Sequence, residues 1–167
     1  MPLRDGTGPI PDDWTKVEPG APLAARSLLG LADAEARGAE LGGIDPRSLG
    51  LRVANDAERA RLLPWLRKVG LIALAFPSFA DGRAFSLGRW LRERGHEGRL
   101  RAEGPVIADQ WPHLRGCGFD EVEIPEALAA RQPEAQWKAA EARIALGYQV
   151  GRPGRQAISA ARREARR

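Results

Sequence analysis

The polar residues at positions 81–86 have the types and spacing of an anion-binding loop. Asp81, Arg83 and Ser86 follow an apolar run at 71–76, and a helix is predicted to begin near Arg83. The free N–H groups and dipole of a helix N-terminus favour an anion, and a guanidinium can donate paired hydrogen bonds to sulfate, phosphate or carboxylate. A structural explanation is more common: Asp81 caps the helix, and Arg83 pairs with a nearby acid.

Three further polar side chains follow other predicted strands. Asn55 comes after a predicted strand at 49–54, and Asp109 and Gln110 come after a predicted strand at 99–103. Ligands of parallel α/β folds bind where the carboxyl ends of the strands meet, so we expect these side chains to share one edge of the sheet with Asp81. Asp109 and Gln110 also have the chemistry of a helix cap, and capping is the favoured explanation of that pair.

Cys117 is the one thiol of the chain. It lies between Gly116 and Gly118, directly before a predicted strand. A lone cysteine is most often a small buried apolar residue, whereas a reactive thiolate requires an imidazole or a helix N-terminus that lowers its pKa. His113 precedes Cys117 by four residues, but we expect the glycines to interrupt any helix that would align the two side chains. Cys117 is therefore kept only as a candidate reactive thiol.

The elements that must position these residues alternate in type along the chain. Strands are predicted at 49–54, 71–76, 99–103 and 120–124. Helices are predicted at 57–63, at 83–94, from about 106 or 109 to 115, and over a helical region at 125–146 that starts again after Pro133. One apolar stripe runs along the helix at 83–94, formed by Ala84, Leu87, Gly88 and Leu91. This alternation predicts an α/β fold in which four parallel strands form one layer, connected by right-handed crossover helices. An open sheet and a half-barrel are both compatible with the pattern.

The chain divides into an arm, one domain and a tail. Residues 1–22 are rich in proline, glycine and aspartate, which predicts an extended arm with at most one short strand. Residues 23–150 form the single α/β domain, which begins with a predicted helix at 24–42. Residues 151–167 carry six arginines and one glutamate, a net charge of +5. Because the formal net charge of the whole chain is +4, residues 1–150 sum to −1. This basic segment predicts a flexible, solvated tail, and nucleic-acid binding is not expected.

Composition excludes several classes of protein. One cysteine cannot form an internal disulfide or supply the several thiolates that an iron–sulfur cluster takes, and two histidines are too few for a closed zinc site of the usual kind. No metal site is therefore expected. The sequence has neither a long apolar run nor the apolar segment of a secretion signal, which predicts a cytoplasmic protein without a membrane span. Nucleotide-binding glycine loops are also missing from it.

The residues at the predicted strand ends occur within longer motifs. These are LRVAND at 51–56, IALAFP at 72–77, FADGR at 79–83, GRLRA at 98–102 and RGCGFD at 115–120. Together they resemble an uncharacterised bacterial family, domain of unknown function 934, over roughly residues 48–124. Arg101 lies within one of these motifs and joins the candidate ligand-binding residues. The chain departs from the resemblance at Ala75, where an acidic residue is expected.

The resemblance implies a role in assimilatory sulfite reduction, since family members are often labelled probable sulfite-reduction oxidoreductases. A chain with one cysteine and no nucleotide motif is poorly equipped to reduce sulfite itself. We therefore expect an accessory protein that supports sulfite reductase, or another sulfur-assimilation protein, by docking, maturation or electron delivery. Siroheme and an iron–sulfur cluster are expected only in that partner. The alternative is a small enzyme or binding protein for an oxyanion or phosphorylated metabolite at the carboxyl edge, and a homodimer is a further open alternative.

Overall fold

A β-sheet forms the centre of the molecule in the computed structural model, which describes residues 1–143, 146–147 and 156–157. In chain order its strands are β1 (Leu3–Asp5), β2 (Gly8–Ile10), β3 (Thr15–Lys16), β4 (Ser27–Gly30), β5 (Leu49–Val53), β6 (Leu71–Ala75), β7 (Arg99–Glu103) and β8 (Glu121–Glu123). From β3 to β8 the strands are parallel and lie side by side in chain order. The four strands predicted between residues 49 and 124 are confirmed as β5–β8.

The arm contributes strands to both edges of this sheet. β1 and β2 form an antiparallel hairpin that pairs with β8, whereas β3 pairs in parallel with β4 at the opposite edge. The pattern predicted at most one short strand here, but three form: β2 pairs with β1 inside the arm, whereas β1 and β3 pair with strands outside it, as Leu3 does opposite Glu123. Trp14, just before β3, is buried and anchors the arm.

Seven short α-helices lie within the described residues. They are α1 (Leu31–Ala36), α2 (Gly38–Leu41), α3 (Arg59–Leu62), α4 (Arg83–Glu93), α5 (Trp111–Gly116), α6 (Glu126–Ala129) and α7 (Glu134–Ala142). Turns of 3-10 helix lie at Pro46–Ser48, Leu63–Trp65 and Ala108–Gln110, and β9 (Leu146–Gly147) pairs with β10 (Gln156–Ala157). Apart from β10, the predicted tail at 151–167 lies outside the described residues.

The predicted helix at 24–42 is wrong in its first part. Ser27–Gly30 is strand β4, and the helix begins only at Leu31. Ser27, Leu28 and Leu29 are each at most 2% exposed, because helices cover one face of this strand and the arm covers the other. An apolar run this short has no periodicity that separates a buried strand from a helix.

The convex face of the sheet carries the helices and the main apolar core. Right-handed crossovers between neighbouring parallel strands place their helices on one face, and alternate strand residues such as Ile72 and Leu74 belong to that core. The predicted stripe of α4 is confirmed, since its four residues are the buried ones of that helix. Gly88 permits close packing, because a Cβ there would lie 2.4 Å from Cε2 of Phe119.

The opposite face is concave, and the sheet curls into a half-barrel. Nζ of Lys16 on β3 lies 2.6 Å from Oε1 of Glu123 on β8. Five strand spacings separate these two strands, which would place them roughly 24 Å apart in a flat sheet. The apolar part of the concave face is small and consists of Trp14, Leu28, Leu71 and Ala73. The α/β fold is thus confirmed, and of the two alternatives that the pattern allowed, the structure is the half-barrel.

Candidate functional site

Two loops meet at the carboxyl edge of the sheet. In the first, Nη2 of Arg83 lies 2.7 Å from Oδ2 of Asp81, and the backbone N–H of Arg83 donates to Oδ1 of the same carboxylate at 3.1 Å. In the second, Gln110 donates from Nε2 to the carbonyl oxygen of Phe79 at 2.8 Å, which ties the two loops together. We call Asn55, Asp81, Arg83 and Gln110 the edge cluster. The rule that strand ends share one edge predicted its position.

The edge cluster is built as a helix cap with an ion pair. Hydrogen bonds from the side chain and backbone of Arg83, together with the neighbouring amide of Asn55, lower the pKa of Asp81. Oδ2 of Asp56 lies 3.6 Å from Nη1 of Arg83, so one guanidinium faces two carboxylates. The resulting net charge is −1, which does not favour an anion. These contacts fit the structural explanation of Asp81 and Arg83 better than the anion-binding one.

Asn55 gives the edge cluster one unused donor. The residue is 8% exposed, and its Nδ2 has no hydrogen-bond partner of ordinary geometry within the described residues. A buried amide donor without a partner is unfavourable by about 1–3 kcal/mol. A ligand oxygen or a water molecule beside Asn55 would therefore be stabilised at this edge.

Two other candidates from the sequence do not join the edge cluster. Ser86 is exposed on α4, one turn beyond Arg83. Asp109 is turned toward the end of the last long helix, where its Oδ1 accepts a hydrogen bond from Arg143 at 2.8 Å. Its neighbour Gln110 accepts from the backbone N–H of Ile107 at 3.1 Å, which is the predicted capping contact.

Arg101 lies on the concave face rather than at the carboxyl edge. Its side chain is fully buried, and both Nη atoms donate to Asp12 at 2.8 Å. Nε donates to Glu121 at 2.7 Å, and Nη1 also donates to Glu123 at 3.1 Å. Burial alone would lower the pKa of Arg101, but its bonds to Asp12 and Glu121 outweigh burial and raise it. The guanidinium predicted to bind a ligand anion thus binds three carboxylates of its own chain.

A second polar cluster, which the sequence reasoning missed, lies at the carboxyl end of the concave face. This concave cluster consists of Lys16, Arg52, Glu103 and Glu123. Arg52 donates to both carboxylate oxygens of Glu103, at 2.7 and 3.0 Å, and Nζ of Lys16 lies 3.0 Å from Glu103. The sequence signal was alternation, because charges at every second position mark one polar face of a strand. Those charges are Arg99, Arg101 and Glu103 on β7 and Glu121 and Glu123 on β8.

The ion pairs of the concave cluster hold Lys16, Arg52 and Glu103 in their charged forms. Burial would raise the pKa of Glu103, but Arg52 and Lys16 outweigh it, so the pKa is lowered. Burial would likewise lower the pKa of Lys16, but its carboxylate partners raise it. Ala75 lies opposite Glu103 in the strand register. The acidic residue expected there from the resemblance would have added another carboxylate beside this cluster.

Cys117 lies at the opposite end of the sheet, directly after α5. Its backbone N–H donates to the carbonyl oxygen of His113 at 3.0 Å, so the helical turn continues through Gly116. Sγ lies 4.0 Å from Nε2 of His113. The expectation that the glycines prevent this alignment is therefore wrong. Burial nevertheless raises the pKa of the thiol, which is the opposite of what a nucleophile requires.

The fold and these clusters define an α/β half-barrel with ion-paired polar groups at its carboxyl edge and on its concave face. Within the described residues, no three His, Cys, Asp or Glu side chains are grouped as a metal site. No helix of that part of the chain has the length and apolar character needed to cross a bilayer.

The chain belongs to the family described as "Bacterial protein of unknown function (DUF934)", whose model matches residues 50–158. The match covers β5–β8 and the whole edge cluster, whereas the arm and Asp12 precede it. No curated protein and no solved structure matches the chain.

Proposed function

We propose that this chain is a cytoplasmic accessory protein of assimilatory sulfite reduction, which docks on sulfite reductase or on another protein of sulfur assimilation. The pathway is suggested only by the labels that members of the resembled family often carry, since the family itself is described as of unknown function. The accessory role is suggested by its own residues, because one thiol cannot supply the thiolates of an iron–sulfur cluster. Siroheme and the cluster then belong to the partner, and this chain supports docking, maturation or electron delivery.

The observation that carries the accessory role is that the ionisable groups of the candidate sites are ion-paired, as Asp81 and Lys16 are, or buried, as Cys117 is. Arg83 lowers the pKa of Asp81, burial raises that of Cys117, and ion pairs that outweigh burial raise that of Lys16. General acid–base catalysis works best when a pKa lies near the operating pH, and a nucleophilic thiol requires a lowered pKa. Each of these three shifts moves the pKa of its group away from the value that such catalysis requires. Asp81 and Lys16 therefore act as fixed charges and Cys117 stays a neutral thiol, which suits recognition and structure better than proton transfer.

The proposed docking surface is the rim beside the edge cluster, with Phe79 as its anchor. The Phe79 ring is 62% exposed, although the backbone of its loop is fixed by the hydrogen bond from Gln110. Aromatic side chains on a fixed backbone are typical anchors of protein interfaces, because they bury a large apolar area at little entropic cost. An unpaired aromatic residue at the carboxyl edge therefore favours a protein partner at this rim.

A deletion strain complemented with variants tests this proposal. Loss of the gene should impair growth on sulfate but not on sulfide or cysteine, and the wild-type chain should restore growth. Phe79→Ala should fail to restore it and should fail to co-purify with sulfite reductase. The matched control is Leu63→Ala, since Leu63 is also an exposed apolar residue, at 50%, but lies on a different turn. Unchanged growth of the deletion strain on sulfate, without co-purification of the wild-type chain, would reject the accessory role.

A second candidate function is binding of an oxyanion or phosphorylated metabolite at the edge cluster. The buried Nδ2 of Asn55 favours it, because this donor has no well-formed hydrogen bond although the amide lies beside Asp81. The net negative charge around Arg83 opposes it. Calorimetric titration with inorganic phosphate and sulfate distinguishes the two functions. Binding that is lost in both Asn55→Ala and Arg83→Ala, with the fold intact, would support this candidate. Absence of binding by the wild-type chain would reject it.

A further inference from the structure

The arm delivers one carboxylate into the interior of the half-barrel. The two Nη atoms of Arg101 donate to the two oxygens of Asp12, at 2.8 Å each, which is the paired geometry of a guanidinium with a carboxylate ligand. The Arg101 side chain is 0% exposed and that of Asp12 is 27% exposed, so Asp12 closes the site from the solvent side. A small carboxylate from solution would make the same two hydrogen bonds.

The directly ion-paired groups of the concave face have equal numbers of cations and carboxylates when Asp12 is included. The ion-paired cations are Lys16, Arg52, Arg99 and Arg101, and the strand carboxylates paired with them are Glu103, Glu121 and Glu123. Four cations and three carboxylates leave +1, which Asp12 brings to zero. Removing one partner from a buried ion pair is strongly unfavourable, because it leaves a buried charge uncompensated. Without Asp12, Nη2 of the buried Arg101 would lose its carboxylate partner and Nη1 would keep only Glu123, so a carboxylate at this position is favoured whichever molecule supplies it.

The segment that carries Asp12 is held by few backbone contacts. β3 has two residues, and its pairing with β4 extends only over Thr15 and Lys16. Trp14 is buried, but its Nε1 has no hydrogen-bond partner in the described part of the chain. A buried donor without a partner weakens the fit of the arm. The contact that fills the site is thus made by a segment whose backbone pairing with the sheet is short and which is otherwise held by the burial of Trp14 and the ion pairs of Lys16.

We propose that Arg101 is the centre of a binding site for a small carboxylate on the concave face, and that Asp12 of the arm is its internal competitor. A carboxylate ligand takes the two Nη hydrogen bonds of Arg101 and displaces the segment around Asp12. Glu123 contacts both Arg101 and Lys16, so the displacement also reaches the concave cluster. The chemistry of this site is independent of the pathway proposed above.

Removal of the internal competitor tests the site directly. Asp12→Ala should melt at a lower temperature than the wild-type protein in chloride, and formate or acetate should restore its stability in a saturable manner at equal ionic strength. The wild-type protein should require on the order of tenfold more formate for a comparable effect, because an intramolecular carboxylate competes at a high effective concentration. The matched control is Asp13→Ala, since Asp13 pairs with Arg26 at the surface and should show no preference for formate over chloride.

Amide hydrogen exchange of the wild-type protein tests the competition independently of any variant. The backbone N–H groups of Thr15 and Val17 donate hydrogen bonds to the carbonyl oxygens of Arg26 and Leu28, at 2.9 and 3.1 Å. Their exchange rates therefore report whether the arm is attached to the sheet. Saturating formate should accelerate exchange at both positions, whereas chloride should not. If formate leaves these rates unchanged and stabilises Asp12→Ala no more than chloride does, Arg101 is a structural ion pair and the proposed site is wrong. An equal response of Asp13→Ala would identify a general salt effect and would overturn the proposal as well.

Discussion

At the scale of single residues, Gly88 shows how closely α4 approaches the neighbouring elements. A Cβ at this position would lie 2.4 Å from Cε2 of Phe119. Gly88→Ala should therefore destabilise the protein by about 1–3 kcal/mol through overpacking, which exceeds the gain of up to about 1 kcal/mol from the helix propensity of alanine. Denaturant unfolding followed by circular dichroism measures the difference.

Gly116→Ala is the matched control for this prediction. Gly116 is the last residue of α5, and no atom lies within 4 Å of a Cβ placed there. The substitution should leave the free energy of unfolding unchanged or slightly raised. Equal effects of the two substitutions would show that α4 does not pack against Phe119 as closely as the structure has it.

Acid should destabilise the protein through the carboxylates of the concave face. Burial would raise the pKa of Asp12 and Glu103, but their cationic partners lower both below the ordinary values of 3.8 and 4.5. Such carboxylates stabilise the fold fully above those values, and the contribution is lost as pH falls through the lowered pKa of the folded state. Burial lowers the pKa of His96 from 6.5, so its protonation also favours unfolding and starts the decline at higher pH.

Urea unfolding at a series of pH values measures this dependence. The free energy of unfolding of the wild-type protein should begin to fall below pH 6.5, where His96 starts to titrate in the unfolded state, and should fall more steeply below pH 4.5. Asp12→Asn should keep the first decline and show a shallower second one. A second decline of unchanged slope in Asp12→Asn would contradict the ion pair between Asp12 and Arg101.

The residues of the candidate sites differ in how far the sequence could locate them. Asn55, Asp81 and Arg83 could be placed together because each follows a strand that its own apolar run predicts. Lys16 could not, because its position depends on a two-residue strand of the arm and on the curl of the sheet. Pairings of that kind join segments far apart in the chain and leave no local pattern. The polar face of β7 and β8 is visible in the sequence as an alternation of charged and apolar residues. The crossover pattern, however, predicts only the helices on the other face and does not predict what lies against the polar one.

At the scale of elements, the hairpin of β1 and β2 protects the edge strand β8. β8 has β7 on one side and β1 on the other, and Arg4 of β1 also lies over the ring of Trp137, 4.2 Å from its centroid. Deleting residues 1–10 would expose the unpaired backbone groups of β8, which are a template for pairing with another chain. The shortened protein should be less stable and should form larger species than the full chain in size-exclusion chromatography with light scattering.

Arg4→Ala separates the hairpin from its side-chain contacts. This variant loses the ion pair with Glu134, 3.0 Å long in the intact chain, and the contact with Trp137, but it keeps the backbone pairing of β1 with β8. It should be destabilised without a change in molecular mass. If the deletion behaves like Arg4→Ala, the hairpin does not act as an edge cap.

The hydrophobic pattern of the sequence could not identify the short strands at or near the edges of the sheet. β5 and β6 are mainly apolar and β7 and β8 alternate charged and apolar residues, so their type could be predicted from the sequence. β4 lies in an alanine- and leucine-rich segment whose propensity favours a helix, and burial on both faces overrides that propensity in the structure. The same burial removes the alternation of polar and apolar residues that otherwise marks a strand.

At the scale of the whole molecule, the curl of the sheet brings its distant strands together across the concave face. Lys16 on β3 contacts Glu123 on β8 although four strands lie between them. A flat sheet would hold these strands roughly 24 Å apart, so that the two side chains could not form an ion pair. The coupling between these two side chains, measured in solution, therefore tests whether the sheet curls into a half-barrel.

A double-mutant cycle on this pair tests the curl. Lys16→Met, Glu123→Gln and the double variant should give a coupling free energy within the range of about 0.5–3 kcal/mol seen for contacting residues. Glu123→Gln alone should cost more than Lys16→Met, because Glu123 is 4% exposed and also contacts Arg101. The comparison pair is Arg89 and Glu93 on α4, whose side chains are 63% and 61% exposed and should couple by only about 0.3–0.5 kcal/mol. Zero coupling between Lys16 and Glu123 would mean that β3 and β8 do not meet, because two charges in contact inside a partly buried cluster cannot be energetically independent.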